Sequence, residues 1–503
     1  MLSMLIGAIG SLWVTPALIR SLGVAEFGVY VLVLTLASYA GFFDLGLTWA
    51  ATRYFAEDLA AHRYQALASR FHTLVRFLWG VGAFSTLLVL TFGPWTMRAA
   101  GAASRSDLTL VLLLGVLSFG LSLQSSLVTS LLRAAQLFDE AGRVAVVGSL
   151  LLPLGVYASV RLGYGVSVLL AMNLAVNAVV VLLSLGFARS RIPLPQEAPR
   201  WRPAHLREMA AFGGWSCVSR GVMTVILQLD RLAVALLGSV VGLTYYSISA
   251  NLASRINVLG GPMATLFFSR ASFLAAGNRD EELAGQHAAA TRVLICVALT
   301  AAIPLITLGP DFLRVWIGNE MARNGSQVLI SLTVGYAIIS VASLDAVTLE
   351  GRGRPDVTAK AMVAWSGVAI LGMLVLAPSL GWRAIAYAVA VWLAGVGVTN
   401  MIVARRLALP KCHRAAQRFP LFGILISLGV GIPLGMLLQP VIRGLPSAFM
   451  SLGLLALAVL IVGFRFILQK EERRQIIDTV YGLLTSRART RVALARDEHE
   501  ARP

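Results

Sequence analysis

The chain has 503 residues, of which 57% are hydrophobic and only 13% charged, with a mean hydropathy of +0.78. Soluble domains carry roughly 25% charged residues, so a water-soluble fold of this length would have to hide far too much apolar surface. The formal charge of +18 is almost all Arg, with Lys only at 360, 411 and 470. It sits between apolar runs, the positive-inside pattern of a membrane protein, which argues against nucleic acid as a partner.

In chain order, apolar runs of the length that spans a hydrocarbon core as a helix predict helices near 2–19, 27–50, 74–97, 108–131, 144–160, 166–187, 208–234, 241–268, 291–313, 326–348, 359–378, 384–404, 420–440 and 448–468. The first run is short for a spanning helix. It lacks a basic n-region and an A-x-A site, so no cleavable signal is expected. Between the sixth and seventh runs, Arg189 to Arg207 contains Pro193, Pro195, Pro199 and Pro203 and reads as a basic linker. After Leu468 a charged tail follows, with the pattern of an amphipathic surface helix.

The expected fold is therefore an all-α polytopic membrane protein of about 14 transmembrane helices. Its divisions are a six-helix lobe over 1–187, a cytoplasmic linker over 188–207 and a second six-helix lobe over 208–405. Two additional helices over 419–468 and a cytoplasmic basic tail over 469–503 complete it. With the N-terminus in the cytoplasm, the even loops hold 22 Lys and Arg and the odd loops hold eight. That asymmetry supports the helix count and predicts cytoplasmic N- and C-termini for a multi-pass membrane protein.

The two halves read as repeats. Gly23 in LGVAEFGVY pairs with Gly238 in LGSVVGLTY, Pro94 in LTFGP with Pro310 in ITLGP, and Asp139 in LLRAAQLFD with Asp356 in TLEGRGRPD, at offsets of 215, 216 and 217 residues. Three matches in register argue for duplication of a six-helix unit. An even helix number makes the repeats parallel, with a cleft between them.

Cys217, Cys296 and Cys412 are widely separated, and the six histidines are scattered. Neither a disulfide framework nor a metal site is suggested, no cofactor is expected, and no constellation points to an enzyme. The chemistry lies in polar residues inside the spans, which are costly there and tend to face a cavity or a partner. In the seventh span Ser216, Arg220, Thr224, Gln228 and Arg231 share one helical face. The fourth span repeats the device with Ser118, Ser122, Ser125, Thr129 and Arg133. The eighth offers Ser247, Asn251 and Arg255, and the sixth Asn173 and Asn177. Ser and Thr stripes also serve as helix-packing surfaces, and Arg133 can snorkel from its helix end. Two arginines on one stripe favour a water-filled cavity in the seventh span. Asp44, Asp230 and Asp345 are the intramembrane acids. Each is placed to relay a proton, to bind a cation or to neutralise an arginine, and Asp230 reads as a structural partner.

Residues 15–57, TPALIRSLGVAEFGVYVLVLTLASYAGFFDLGLTWAATRYFAE, resemble the opening of bacterial polysaccharide and O-antigen flippases of the multidrug/oligosaccharidyl-lipid/polysaccharide (MOP) superfamily. The carrying pattern is P-x3-R-x-LG-x4-G (Pro16, Arg20, Leu22, Gly23, Gly28) followed by D-x-G-x6-R (Asp44, Gly46, Arg53). LLRAAQLFD and LQLDRLAVALLG, residues 227–238, look like that family too, and the resemblance spans roughly residues 1–405.

The resemblance implies a MATE-like fold, two six-helix bundles around a central cationic cavity, with the last two helices an addition. It implies a flippase that moves an undecaprenyl-pyrophosphate-linked oligosaccharide from the inner to the outer leaflet by alternating access, for surface or exopolysaccharide assembly. The candidate cavity residues are Arg53, Arg220, Arg231, Arg255, Gln228 and Asn251, with Asp44 and Asp345 as coupling candidates for protons or sodium. Expected partners are the lipid-linked oligosaccharide, membrane lipids, and a polysaccharide polymerase or glycosyltransferases. Two alternatives remain open here. One is a cation-coupled multidrug exporter of the same fold, against which the cavity arginines speak. The other is a non-transporting membrane scaffold for glycan-assembly enzymes.

Overall fold

The computed structural model describes the backbone of residues 2–39, 47–102, 107–193, 202–257, 260, 263, 264, 267, 274, 279–407 and 420–478, and the side chains of these apart from 2, 4, 5, 8, 47–50 and 210–227. Among the described residues every long element is an α-helix: α1 Leu2–Leu22, α2 Val24–Ser38, α3 Leu47–Ala60, α4 Tyr64–Ala99, α5 Leu108–Ala134, α6 Phe138–Arg161, α7 Val166–Arg191, α8 Pro203–Ser254, α9 Asp280–Thr307, α10 Gly309–Trp316, α11 Asn319–Gly351, α12 Pro355–Leu380, α13 Arg383–Leu407, α14 Leu421–Leu438 and α15 Leu445–Phe466. Eleven helices among the described residues are long and apolar enough to cross a membrane. The protein is an all-α polytopic membrane protein of about 12–14 transmembrane helices.

Three places add detail to the sequence reading. Of the run near 27–50, α2 and α3 are described, and residues 40–46 lie outside the described residues. The runs near 208–234 and 241–268 are two helical legs, labelled together as α8, and the break between them is at Ser239, whose backbone (φ 63°, ψ 176°) is not helical. That conformation is strained for a residue with a Cβ, and here it joins a first leg before Ser239 to a second leg after it. Between α9 and α11 the chain inserts the short helix α10, whose Phe312, Leu313 and Trp316 are buried while Arg314 is exposed. A period so short is hidden inside a hydropathy window tuned to spanning lengths.

The repeat is visible in the backbone itself. Gly23 (φ 83°, ψ 164°) and Ser239, 216 positions later, adopt the same conformation at the same kind of turn. Gln136 (φ 62°) and Gly353 (φ 75°), 217 apart, both sit in left-handed helix-ending turns. Each of these turns is closed by the same bond, Leu137 N–H to the Leu132 carbonyl at 2.9 Å and Arg354 N–H to the Leu349 carbonyl at 2.9 Å. Arg63 N–H to the Asp58 carbonyl has its counterpart, 216 positions on, in Arg279 N–H to the Leu274 carbonyl.

Two ends of the bundle can thus be named, the Gly23 end (with Ala100 and Ser239) and the Arg63 end (with Gln136 and Gly353). At the Gly23 end the apolar core is continuous across both halves. Leu32 and Val33 of α2, Val111 and Leu112 of α5, Leu243 and Tyr246 of α8 and Trp316 of α10 belong to one cluster. At the Arg63 end the core is divided among the described residues. Phe55, Leu67, Leu127 and Leu131 form one cluster with Met209, while Phe267, Leu274, Leu283 and Leu344 form another. The last two helices pack on the outside of α9, where Gly431 meets Ile303 and Gly463 meets Cys296 with no room for a larger side chain.

Candidate substrate cavity

The fold-back at Ser239 lays the two legs of α8 side by side, which brings together residues 20 apart in sequence. Arg231 on the first leg donates from Nη2 to the Asn251 Oδ1 on the second leg at 3.2 Å. One turn beyond Asn251, Arg255 donates from Nη2 to the Ser11 hydroxyl of α1 at 3.1 Å, which joins the two halves. Beside Asn251 and Arg255 lies a cavity of about 60 Å³ lined by Ser11, Thr15, Asn251, Arg255, Phe27 and Trp316 among others, with Arg231 behind Asn251 and outside the lining. Four hydrogen-bonding side chains thus face apolar and aromatic ones across the seam between α1, α8 and α10.

The charge is lopsided. Among the described residues no carboxylate lies within salt-bridge distance of Arg231 or Arg255, although Asp230 is next in sequence to Arg231. Asp230 is buried, accepting from the Tyr246 hydroxyl and from the Arg231 backbone N–H, both at 2.5 Å, and the Arg231 charge acts on it without a direct ion pair. Asp230 is therefore a structural acid held by Tyr246. Gln228, three residues before Arg231, has a buried Oε1 without a hydrogen-bond partner. Guanidinium groups left free of carboxylates beside a buried amide acceptor suit a ligand carrying anionic oxygens and N–H or O–H donors.

Of the residues singled out from sequence, Arg231, Asn251 and Arg255 come together, and Gln228 lies on the same leg as Arg231. Arg53 does not join them. It is exposed on α3 and paired with Glu57 at 2.8 Å. Asp345 on α11 is buried and faces His287 of α9, with 3.3 Å between Oδ1 and Nε2. The His287 ring in turn meets the edge of Phe267, centroids 5.8 Å apart. The side chain of Arg220 and the whole of Asp44 lie outside the described residues.

Sequence reasoning missed a second polar cluster at the Arg63 end. Asp58 is fully buried, bonded to Arg70 at 2.5 Å with Arg63 at 3.5 Å. Arg70 reaches Glu208 at the start of α8 at 3.6 Å, and Tyr54 donates to the Glu208 carbonyl at 3.2 Å. His205 lies 3.4 Å from the Ser69 hydroxyl and 3.7 Å from Glu208. Burial and the nearby Arg70 guanidinium hold its imidazole pKa below the ordinary value, against the opposite pull of Glu208. Together these contacts clamp the first leg of α8 onto α3 and α4.

Comparison with known proteins agrees with this architecture. Residues 17–323 match the family described as "Polysaccharide biosynthesis protein". A Shigella flexneri protein named "Putative O-antigen transporter" is 23% identical over 354 residues, covering 68% of this chain and 81% of its own. The Bacillus subtilis (strain 168) "Uncharacterized membrane protein EpsK" is 24% identical over 348 residues, covering 66% of each. Among solved structures, the lipid II flippase MurJ in an inward closed conformation superposes with a TM-score of 0.66 at 12% identity, covering 92% of this chain and 98% of that one. An inward-facing multidrug resistance MATE family transporter of the MOP superfamily gives 0.62 at 15% identity, covering 80% and 94%. The chain belongs to the polysaccharide biosynthesis protein family, the flippase family that its residues 15–57 resemble, and it carries the fold of the MOP-superfamily transporters.

Proposed function

We propose that this protein is a flippase that carries a lipid-linked oligosaccharide, with a polyprenyl pyrophosphate head such as undecaprenyl pyrophosphate, from the inner to the outer leaflet of a bacterial inner membrane by alternating access. The observation that carries the reading is Arg255 in the cavity wall and Arg231 bonded to the cavity-lining Asn251, neither within salt-bridge distance of a carboxylate among the described residues. A pyrophosphate supplies the charge these groups lack, and Arg binds its oxygens through a planar fork of donors. The multidrug exporter alternative would favour acids at the same place, because its usual cargo is cationic.

The cavity as it stands holds little more than a small polar group, so loading requires the halves to part. The divided core at the Arg63 end, set against the continuous core at the Gly23 end, supports opening at the Arg63 end in this conformation. With the Arg63 end cytoplasmic, as the loop charges imply, that is the loading side, and both termini lie in the cytoplasm. On this reading Gln228 and Asn251 extend the polar path along α8, Arg220 stays a candidate from its place in the sequence stripe, and Arg53 meets the head group at the loading side in exchange for Glu57. His287 with Asp345, together with Asp44, are the candidate sites for ion coupling, and polymerase or glycosyltransferases would supply or consume the cargo. The chain contributes transport and no bond chemistry.

The test is complementation of a strain lacking this chain, with surface glycan and membrane abundance measured together. Arg231→Gln and Arg255→Gln are expected to lose glycan at normal abundance. Normal glycan from both variants and from their double mutant would remove the basis of the reading.

A further inference from the structure

The seam cavity is closed at the Gly23 end by a contact whose origin lies in one imino acid. Pro16 stands in the middle of α1, and a proline has no N–H to give to the carbonyl four residues earlier. In α1 that carbonyl belongs to Leu12. A buried carbonyl left without a donor costs about 1–3 kcal/mol, so it needs a partner from outside its helix. The partner comes from the other half of the protein: Trp316, at the end of α10, donates its indole Nε1–H to the Leu12 carbonyl at 2.9 Å.

Everything around this bond is arranged to hold the indole there. Trp316 is only 5% exposed. It stacks on Phe312 one turn earlier, centroids 5.2 Å apart, and Phe312 meets Phe449 of α15 edge-on at 5.5 Å. Both Leu12 and Trp316 line the cavity that contains Asn251 and Arg255, so the bond forms part of the cavity wall and bridges the halves. The Thr15 hydroxyl, which could compete, is occupied by the Ser11 carbonyl at 2.6 Å.

We propose that Trp316 is the latch that keeps the cavity shut at the Gly23 end, and that the Leu12 carbonyl freed by Pro16 is its socket. The latch rests on the alternating-access reading above, in which the halves separate at this end to release the cargo. When they do, the indole withdraws and the Leu12 carbonyl becomes an acceptor in the cavity wall, beside Ser11 and Arg255. Breaking the latch costs one buried hydrogen bond in the closed state and nothing in the open state, so its strength biases the equilibrium between the two.

The latch is tested without any cargo, so its failure is distinct from failure of the transport reading. Cysteines replacing Arg20 and Asn319, both exposed at the Gly23 end, carry spin labels in full-length protein in nanodiscs, with the three native cysteines replaced by alanine. Pulsed dipolar spectroscopy then reads the ratio of separated to closed populations. Trp316→Phe keeps the ring and deletes the donor, and is expected to raise that ratio about fivefold, the equivalent of one net hydrogen bond. Pro16→Ala gives α1 its own donor for Leu12, and is expected to raise the ratio in the same direction. In the Pro16→Ala background Trp316→Phe is expected to add less than about twofold, because the two changes act on one bond. Pro16→Ser supplies the same N–H if the alanine variant fails to accumulate. An unchanged ratio in Trp316→Phe, or an equal increase in both backgrounds, overturns the proposal.

Discussion

Gly28 of α2 lies so close to the second leg of α8 that a Cβ on it would stand 2.0 Å from the Val240 carbonyl oxygen. The two backbones belong to different halves of the repeat. Thr244, the repeat mate of Gly28 at 216 positions, donates to the Val24 carbonyl at 2.7 Å beside the same crossing. Val240 N–H donates to the Ala100 carbonyl at 3.1 Å just beyond it.

Gly28→Ala therefore has nowhere to put its methyl group except by moving backbone. Overpacking of this kind costs about 1–3 kcal/mol, and the melting temperature of the purified protein is expected to fall. Gly80→Ala in α4 is the control, since nothing lies within 4 Å of a Cβ there. Alanine in a helix is favoured over glycine by about 0.5–1 kcal/mol, so that variant is expected to be unchanged or slightly more stable.

The clamp at the Arg63 end is expected to depend on pH through His205. Its folded pKa is depressed by burial and by Arg70, while the unfolded chain takes up a proton near the ordinary pKa of about 6.5. The unfolded state thus binds more protons in the window below that value, and the stability contribution of the neutral ring is lost as pH falls through it. Thermal unfolding between pH 7.5 and pH 5 is expected to show a steeper loss in the wild type than in His205→Gln. Parallel curves would assign the pH dependence to other groups.

His287 and Asp345 form a buried acid–base pair in the second half. Their repeat positions in the first half, 216 earlier, are Phe71 and Thr129, so the pair is not inherited from the duplicated unit. Removing one member leaves the other buried and uncompensated. Asp345→Asn is expected to abolish the response of transport to an imposed proton gradient in proteoliposomes, with His287→Gln giving the same result. A full response in both variants would make the pair structural.

Orientation is open to a direct chemical test. Single cysteines replacing Ser104 and Asn319 are expected to react with an impermeant maleimide on intact spheroplasts, and a cysteine replacing Pro199 is expected to react only after lysis. Labelling of the Pro199 position on intact cells would reverse the topology.

Much of this architecture was legible in the sequence because hydropathy and repeat offsets are local or strictly periodic signals. The offsets of 215–217 correspond to shared backbone turns at Gly23 and Ser239 and at Gln136 and Gly353. What stayed hidden is the geometry of the fold-back. The two predicted spans bracket Ser239, but hydropathy does not say that the legs on either side of it lie next to each other, and without that Arg231 and Asn251 cannot be placed together. Arg53 and Arg231 look alike on paper, yet one is paired with Glu57 four residues on along its own helix and the other bonds Asn251 across the fold-back. The His287 partner of Asp345 and the Trp316 partner of Leu12 lie on separate helices, and no sequence spacing announces either.

The central claim is that the Arg231 and Arg255 guanidinium groups at the seam hold the anionic head of the cargo, and translocation of a fluorescent polyprenyl-pyrophosphate-linked oligosaccharide in proteoliposomes tests it most directly. Arg231→Gln and Arg255→Gln are expected to reduce initial rates by at least about tenfold, one charged hydrogen bond being worth roughly 1.5–3 kcal/mol. The Lys variants are expected to recover part of the rate, since the charge persists but the fork is lost. Asn251→Asp is expected to resemble the Gln variants, because a carboxylate at 3.2 Å from Arg231 would neutralise it in place. Wild-type rates in Arg231→Gln, Arg255→Gln and Asn251→Asp alike would contradict the claim.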